Sequence, residues 1–197
     1  MKLRKGLISL TLLLAPSLAL AHPGHATSGL LAGLSHPLLG LDHLLAMLAV
    51  GLWAAQQQGS ARWALPLTFV GSLLLGGLLG LNGLGFAGVE SAIAASLLAL
   101  GVLVAVAARL PLGLAMGLTA LFAVNHGIAH GMEVPLLSSA WAYVIGFCVA
   151  TAALHAAGYA LFKALPNRIA VSLSRVAGSA FAGIGLMGLP MCRRLLA

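Results

Sequence analysis

The chain has 197 residues, of which 61% are hydrophobic and 7% charged, with a formal net charge of +7 and a mean hydropathy of +1.08. A soluble domain carries about 25% charged residues, so water is not the main solvent of this protein. Its ten Lys and Arg are spread along the chain, and without a basic cluster on a polar face a nucleic-acid partner is excluded; the expected surroundings are a lipid membrane, crossed several times.

Residues 1–21 read as a cleavable signal peptide. Lys2, Arg4 and Lys5 form a positive n-region, Gly6 to Leu14 an apolar h-region, and Ala19-Leu20-Ala21 a small-residue cleavage site. The competing reading, an uncleaved first span, is disfavoured because the h-region is short for a membrane helix. Cleavage leaves 22–197 as the membrane domain, with His22 as its new N-terminus on the outer side. His22-Pro23-Gly24-His25 then offers two imidazoles and a free amine for metal capture.

Six hydrophobic spans follow, at roughly 36–56, 63–82, 88–108, 112–132, 138–162 and 169–191, each near the ~20 residues a membrane helix needs. The expected fold is therefore all-α: a six-helix transmembrane bundle. Residues 26–34 form a short interfacial helix or lengthen the first span. Gln56-Gln57-Gln58-Gly59-Ser60 reads as a turn, and Pro111, Pro135 and Pro166 punctuate other boundaries. With an external N-terminus, the inner loops carry Arg62, Arg109, Lys163 and Arg168, whereas the outer loops carry Glu90 and Glu133. That is the positive-inside pattern, against which only Arg193 and Arg194 at the C-terminus dissent. Three spans precede Pro111 and three follow it, so any relation between the halves would be an inverted one.

The first span opens with His36-Pro37-Leu38-Leu39-Gly40-Leu41-Asp42-His43, followed by Met47. On one helix His36, His43 and Met47 would share a face, with Asp42 pointing about 100° away from His43. Pro37 and Gly40 weaken the helix between the two histidines and would bend the stripe there. Ionisable groups within a membrane span are costly and mark function by default. Gly76 with Gly80, Gly113 with Gly117, and Gly178 with Ala182 are spaced i, i+4, as close helix packing in lipid requires.

The fourth span ends in Asn125-His126-Gly127-Ile128-Ala129-His130-Gly131-Met132-Glu133. His126, His130 and Glu133 fall on one helical face, within about 60° of arc, with Gly127 and Gly131 on a neighbouring face where another helix can approach. Two imidazoles and a carboxylate at this spacing suit a divalent transition metal. Topology puts this motif and the first in the same outer half of the membrane, where they can converge. In the fifth span Cys148, Thr151 and His155 form another stripe that runs inward, and a thiolate and an imidazole there would suit metal relay. For each residue alone, a buried apolar cysteine and a hydrogen-bonded histidine are the blander readings.

The two motifs resemble the signatures of the HupE/UreJ family, the hydrogenase- and urease-associated nickel permeases. That family pairs HPxxGxDHxxxM with FHGxxHGxE. The first is whole here from His36 to Met47; the second runs from His126 to Glu133, with Asn125 in place of Phe. The signal peptide, length and span count match too, and the His…Asp-His spacing is similar to that of the larger nickel/cobalt transporters. The resemblance implies uptake of Ni²⁺, or Co²⁺, across the bacterial inner membrane. The metal is then transported substrate, with no permanently bound cofactor. The rival reading is an intramembrane metal-dependent hydrolase. Its zincin-like HExxH pattern fails at Gly127, so Asp42 or Glu133 would have to serve as base. No G-x-x-x-x-G-K-[ST] loop is present for ATP.

Overall fold

The structure, a computed structural model, describes residues 29–134 and 139–190. The expected signal peptide, His22, His25, Cys192 and the C-terminal arginines lie outside the described residues. Among those described there are seven helices and no strand: α1 (Gly29–Leu39), α2 (Leu41–Gln56), α3 (Ala61–Leu81), α4 (Val89–Ala105), α5 (Leu112–Met132), α6 (Ala140–Ala164) and α7 (Asn167–Gly188).

Helices α3, α5, α6 and α7 are long and apolar enough to cross a membrane, and α1 with α2 makes a fifth span if the bent pair is counted as one. Helix α4 is apolar but has 17 residues, short of the ~20 a span needs. It was expected over 88–108 and stops earlier because Ala107 turns into a left-handed conformation, φ 49°. The N–H of Ala108 then returns to the carbonyl of Leu103, and this closes the helix end. The six expected spans thus reduce to four or five by length and composition. The outward-facing side chains of the long helices include Leu67, Leu121, Val149, Leu161 and Val176, all exposed. An apolar exterior of this kind suits a multi-pass membrane protein, not one surrounded by water.

The first span is not one straight helix. Gly40 takes an extended conformation, φ −93° and ψ 117°, and α1 and α2 meet at 84°. Proline lacks an N–H to continue the ladder, and Gly40 three residues later leaves it altogether. His36 and His43 therefore sit on different helices, and the helical face expected to join them does not exist.

Helices α3 and α5 pack through small residues. A Cβ at Gly76 or Gly80 would collide with the carbonyl of Val124 or Ile128, and one at Gly127 or Gly131 with that of Leu73 or Gly77. Backbone-to-backbone approach of this kind is what small residues permit in lipid. Gly101 meets Gly178 and Ala182 in the same way, joining α4 to α7. Gly113 and Gly117 have nothing within 4 Å; their spacing is the same, but among the described residues no helix packs against them. Helices α1 and α2 both pack on α6. So α2 pairs with α6 as α3 pairs with α5, and α4 pairs with α7. A two-fold exchange of three-helix halves would give that pattern of partners.

The main core lies inside this arrangement, with Met47, Val50, Trp53, Leu65, Phe69 and Leu97 wholly buried. One end of the bundle is tied by side chains. Trp53 Nε1 and Gln57 Nε2 both donate to the carbonyl of Ala108, and Gln56 Nε2 donates to the Val104 carbonyl and to Ser174. Gln56 and Gln57, expected in a turn, are thus buried. Gln56 ends α2, and the amide nitrogens of both residues donate to carbonyls around the end of α4, that of Val104 being shared with the Ala107 N–H. Trp63 stacks on Tyr159 at 5.7 Å, and Lys163 lies over the Tyr159 ring. Arg62, Arg109, Lys163 and Arg168 share this basic end. Asp42, Glu90 and Glu133, the chain's three carboxylates, belong to the opposite one.

Candidate metal site

At the acidic end the bend at Gly40 brings α1 and α2 around the last turns of α5. Four imidazoles stand in file. His36 lies edge-on to His130 with ring centroids 4.7 Å apart, His130 is 4.3 Å from His43, and His43 is 5.2 Å from His126. The convergence expected of the two motifs is present, produced by a hinge and a glycine-packed helix pair.

Glu133 caps α5 at φ −97° and ψ 4°, one residue beyond the helix, so its side chain can turn back. Its Oε2 lies 3.1 Å from His36 Nε2 and 3.4 Å from His130 Nδ1. These two imidazoles, His130 first, hold the carboxyl well below the usual range despite partial burial. His36, His130 and Glu133 each place a ligand atom within 4.8 Å of the others, close to the span one first-row ion bridges with bonds of about 2.0–2.2 Å. The side chains of His36 and Glu133 are 33% and 51% exposed, so this group is the more exposed end of the file.

Deeper in, hydrogen bonds fix the tautomers. His43 Nδ1 lies 2.9 Å from Asp42 Oδ1, and His126 Nδ1 lies 2.9 Å from the Phe122 carbonyl. A carboxylate and a carbonyl only accept, so each Nδ1 carries a proton and, in the neutral ring, each Nε2 keeps its lone pair. Both Nε2 atoms are buried without a hydrogen-bond partner, and so is Nε2 of His130, whose Nδ1 has only the long approach of Glu133. Each unsatisfied buried polar atom costs about 1–3 kcal/mol. Four such nitrogens together approach the ~5–15 kcal/mol net stability of a typical domain. If these histidines were only packing, that cost would bring nothing. A carboxylate or carbonyl on one ring nitrogen, with the other left bare, is the arrangement of metal-ligating histidine.

The remaining expected residues divide. Met47, one turn beyond His43, is wholly buried among the main core side chains. Cys148 is a free thiol lining a small cavity that it shares with His130, Tyr143 and Phe147. His155 lies apart from the file: the ring of Phe69 stands 5.8 Å from His126 and 5.0 Å from His155. Asn125, at the position of the family's Phe, sends its amide to the Leu121 carbonyl and leaves the histidines alone.

The sequence reading missed the aromatic wall. Phe147 packs 4.2 Å from His130 and 6.0 Å from His36, Tyr143 lies 5.8 Å from His36, and the two aromatic rings stack on each other. Tyr143 and Phe147 are one turn apart on α6, so i, i+4 spacing was the available signal. Gly33 on α1 gives a close seat beside the Tyr143 carbonyl, and this seats α1, and with it His36, against that wall.

A family model described as HupE / UreJ protein matches residues 10–188. The chain is also 43% identical over 185 residues to Protein HupE of Rhizobium leguminosarum bv. viciae, a match covering 94% of this chain and 97% of that protein. No solved structure matches.

Proposed function

Since this chain belongs to the HupE/UreJ family, we propose that it is a permease of the bacterial inner membrane that takes up Ni²⁺, and secondarily Co²⁺. One observation carries the reading: the bare, buried Nε2 atoms of His43 and His126 beside His130. Metal arriving from outside is first met by His36, His130 and Glu133. It then passes to His43 and His126, whose orientation Asp42 and the Phe122 carbonyl maintain.

The charge distribution favours that direction. Carboxylates at the mouth concentrate cations, and basic residues at the far end weaken retention. The membrane potential supplies about 4.6 kcal/mol per 100 mV for a divalent ion, from ~2.3 per charge. That alone supports a concentration ratio above about a thousandfold. The signal peptide and the outward placement of the mouth belong to the same proposal.

The hydrolase reading draws less support. A hydrolase needs a carboxylate free to take a proton from metal-bound water. Asp42 is engaged by His43, and Glu133 by His36 and His130. Uptake of radioactive nickel into vesicles with a clamped potential separates the two. The wild-type protein should accumulate nickel, and His43→Ala and His130→Ala should not, although both fold. Hydrolysis of peptide or lipid without metal movement would overturn the permease.

A further inference from the structure

The proposed function uses the outer file of histidines and leaves the buried group beyond Phe69 without a task. We propose that His155, together with Thr151, forms a second metal station on the inner side, through which the ion leaves by a cleft between α3 and α6. The inference rests on the reading of the protein as a divalent-metal permease.

His155 is 2% exposed, and neither of its ring nitrogens has a hydrogen-bond partner. Thr151, one turn earlier on the same helix, is fully buried, and its hydroxyl is likewise unpartnered. A helical threonine ordinarily satisfies its hydroxyl on the carbonyl four residues back, as Thr119 does on Ala115. Elsewhere in the interior Ser96 and Ser174 are also bonded. Apart from Gln56 Oε1 at the basic end, the unsatisfied buried side-chain atoms among the described residues lie in the outer file and its aromatic wall, and again here.

The two places are connected. The Phe69 ring touches both His126 and His155, so a single side chain separates the last outer imidazole from the inner one. From His155 a cavity of about 390 Å³ runs between α3 and α6 past Val70, Pro66 and Tyr159 to Trp63 and Arg62 at the basic end. Pro66 stands within α3 and has no N–H, which leaves the Arg62 carbonyl without its helical partner. Thr151 and His155 thus offer a hydroxyl and an imidazole at the head of the cleft, and Arg62, whose carbonyl Pro66 leaves without a helical N–H, lines its far end. Nickel accepts all of these donors. One imidazole makes a weak site, and a station that must release its ion inward needs to be weak.

The test has two arms. In proteoliposomes His155→Gln should lower the maximal rate of nickel uptake by about tenfold or more. The half-saturating concentration, set at the outer file, should stay close to wild type. Wild-type rates at saturating nickel would overturn the station. If the wild-type protein itself moved no metal, the permease reading would fail instead. The second arm does not depend on transport. In a Cys148→Ala, Cys192→Ala background, Co²⁺ added to folded His155→Cys should give a thiolate-to-cobalt charge-transfer band that His155→Ser lacks. Absence of that band overturns the station even where uptake falls, because His155 would then act through packing alone.

Discussion

His43 and His126 meet edge to face with ring centroids 5.2 Å apart, and each arrives with its Nδ1 already occupied. One is held by a carboxylate on its own helix and the other by a backbone carbonyl one turn back. Two imidazoles from different helices thus present bare nitrogens in one buried space. Nothing in the packing of either helix requires it.

The Asp42–His43 pair predicts a loss of affinity without loss of fold. Asp42→Ala leaves His43 in place but frees its ring to rotate and to change tautomer. Removing such an outer partner of a ligand typically costs 10–100-fold in metal affinity. Isothermal titration with Ni²⁺ should show a weakening of about that size, with an unchanged melting temperature in detergent. A wild-type affinity would mean that the carboxylate does not orient the ligand.

The helix pair α3–α5 predicts a contrast between glycines. Gly127→Leu forces a side chain into the backbone of α3, and overpacking of this kind costs at least about 1–3 kcal/mol. Gly117→Ala, with nothing within 4 Å, should instead gain about 0.5–1 kcal/mol from helix propensity. Thermal unfolding of both variants checks the assignment. Equal losses would show that Gly117 has a neighbour after all.

Much of this was legible in the sequence, and the failures have physical causes. Pro111 and Pro166 mark the starts of α5 and α7 as expected, because proline fixes its own φ and suits the entrance of a helix. The four clustered histidines were legible because charge is costly in lipid and stands out against leucine. The hinge was legible as weakness at Pro37 and Gly40, but not as an 84° bend, since the angle depends on what α1 packs against. Phe69, Tyr143 and Phe147 were missed because an aromatic in an apolar span looks the same whether it faces lipid or a metal site. Gln56 and Gln57 misled for the opposite reason. Polar residues usually mean a loop, and only the three-dimensional neighbourhood reveals the carbonyls that accept from them.

The dependence of uptake on pH follows from which groups titrate. Glu133 has its carboxyl depressed by His130 and His36. The stability it contributes is complete above the ordinary carboxylate pKa of about 4.3 and is lost only in stronger acid. It therefore stays ionised between pH 5.5 and 7.5, so a change in uptake within that window reports competition between protons and metal for imidazole nitrogens and not a change in this carboxylate. Protonation removes the lone pair that binds metal. At limiting nickel and clamped potential, initial uptake should fall as external pH drops through that window, and added nickel should restore it. A rate that rises on acidification would point to proton-coupled import instead.

The central claim is that the bare nitrogens of the outer file hold the metal, and X-ray absorption at the nickel edge reads this directly. Protein loaded with one equivalent of Ni²⁺ should show the outer-shell scattering of at least two imidazoles, with oxygen completing the coordination. His126→Ala should lower the imidazole count by one in protein that still folds. A spectrum of oxygen ligands alone, the same in both proteins, would contradict the account.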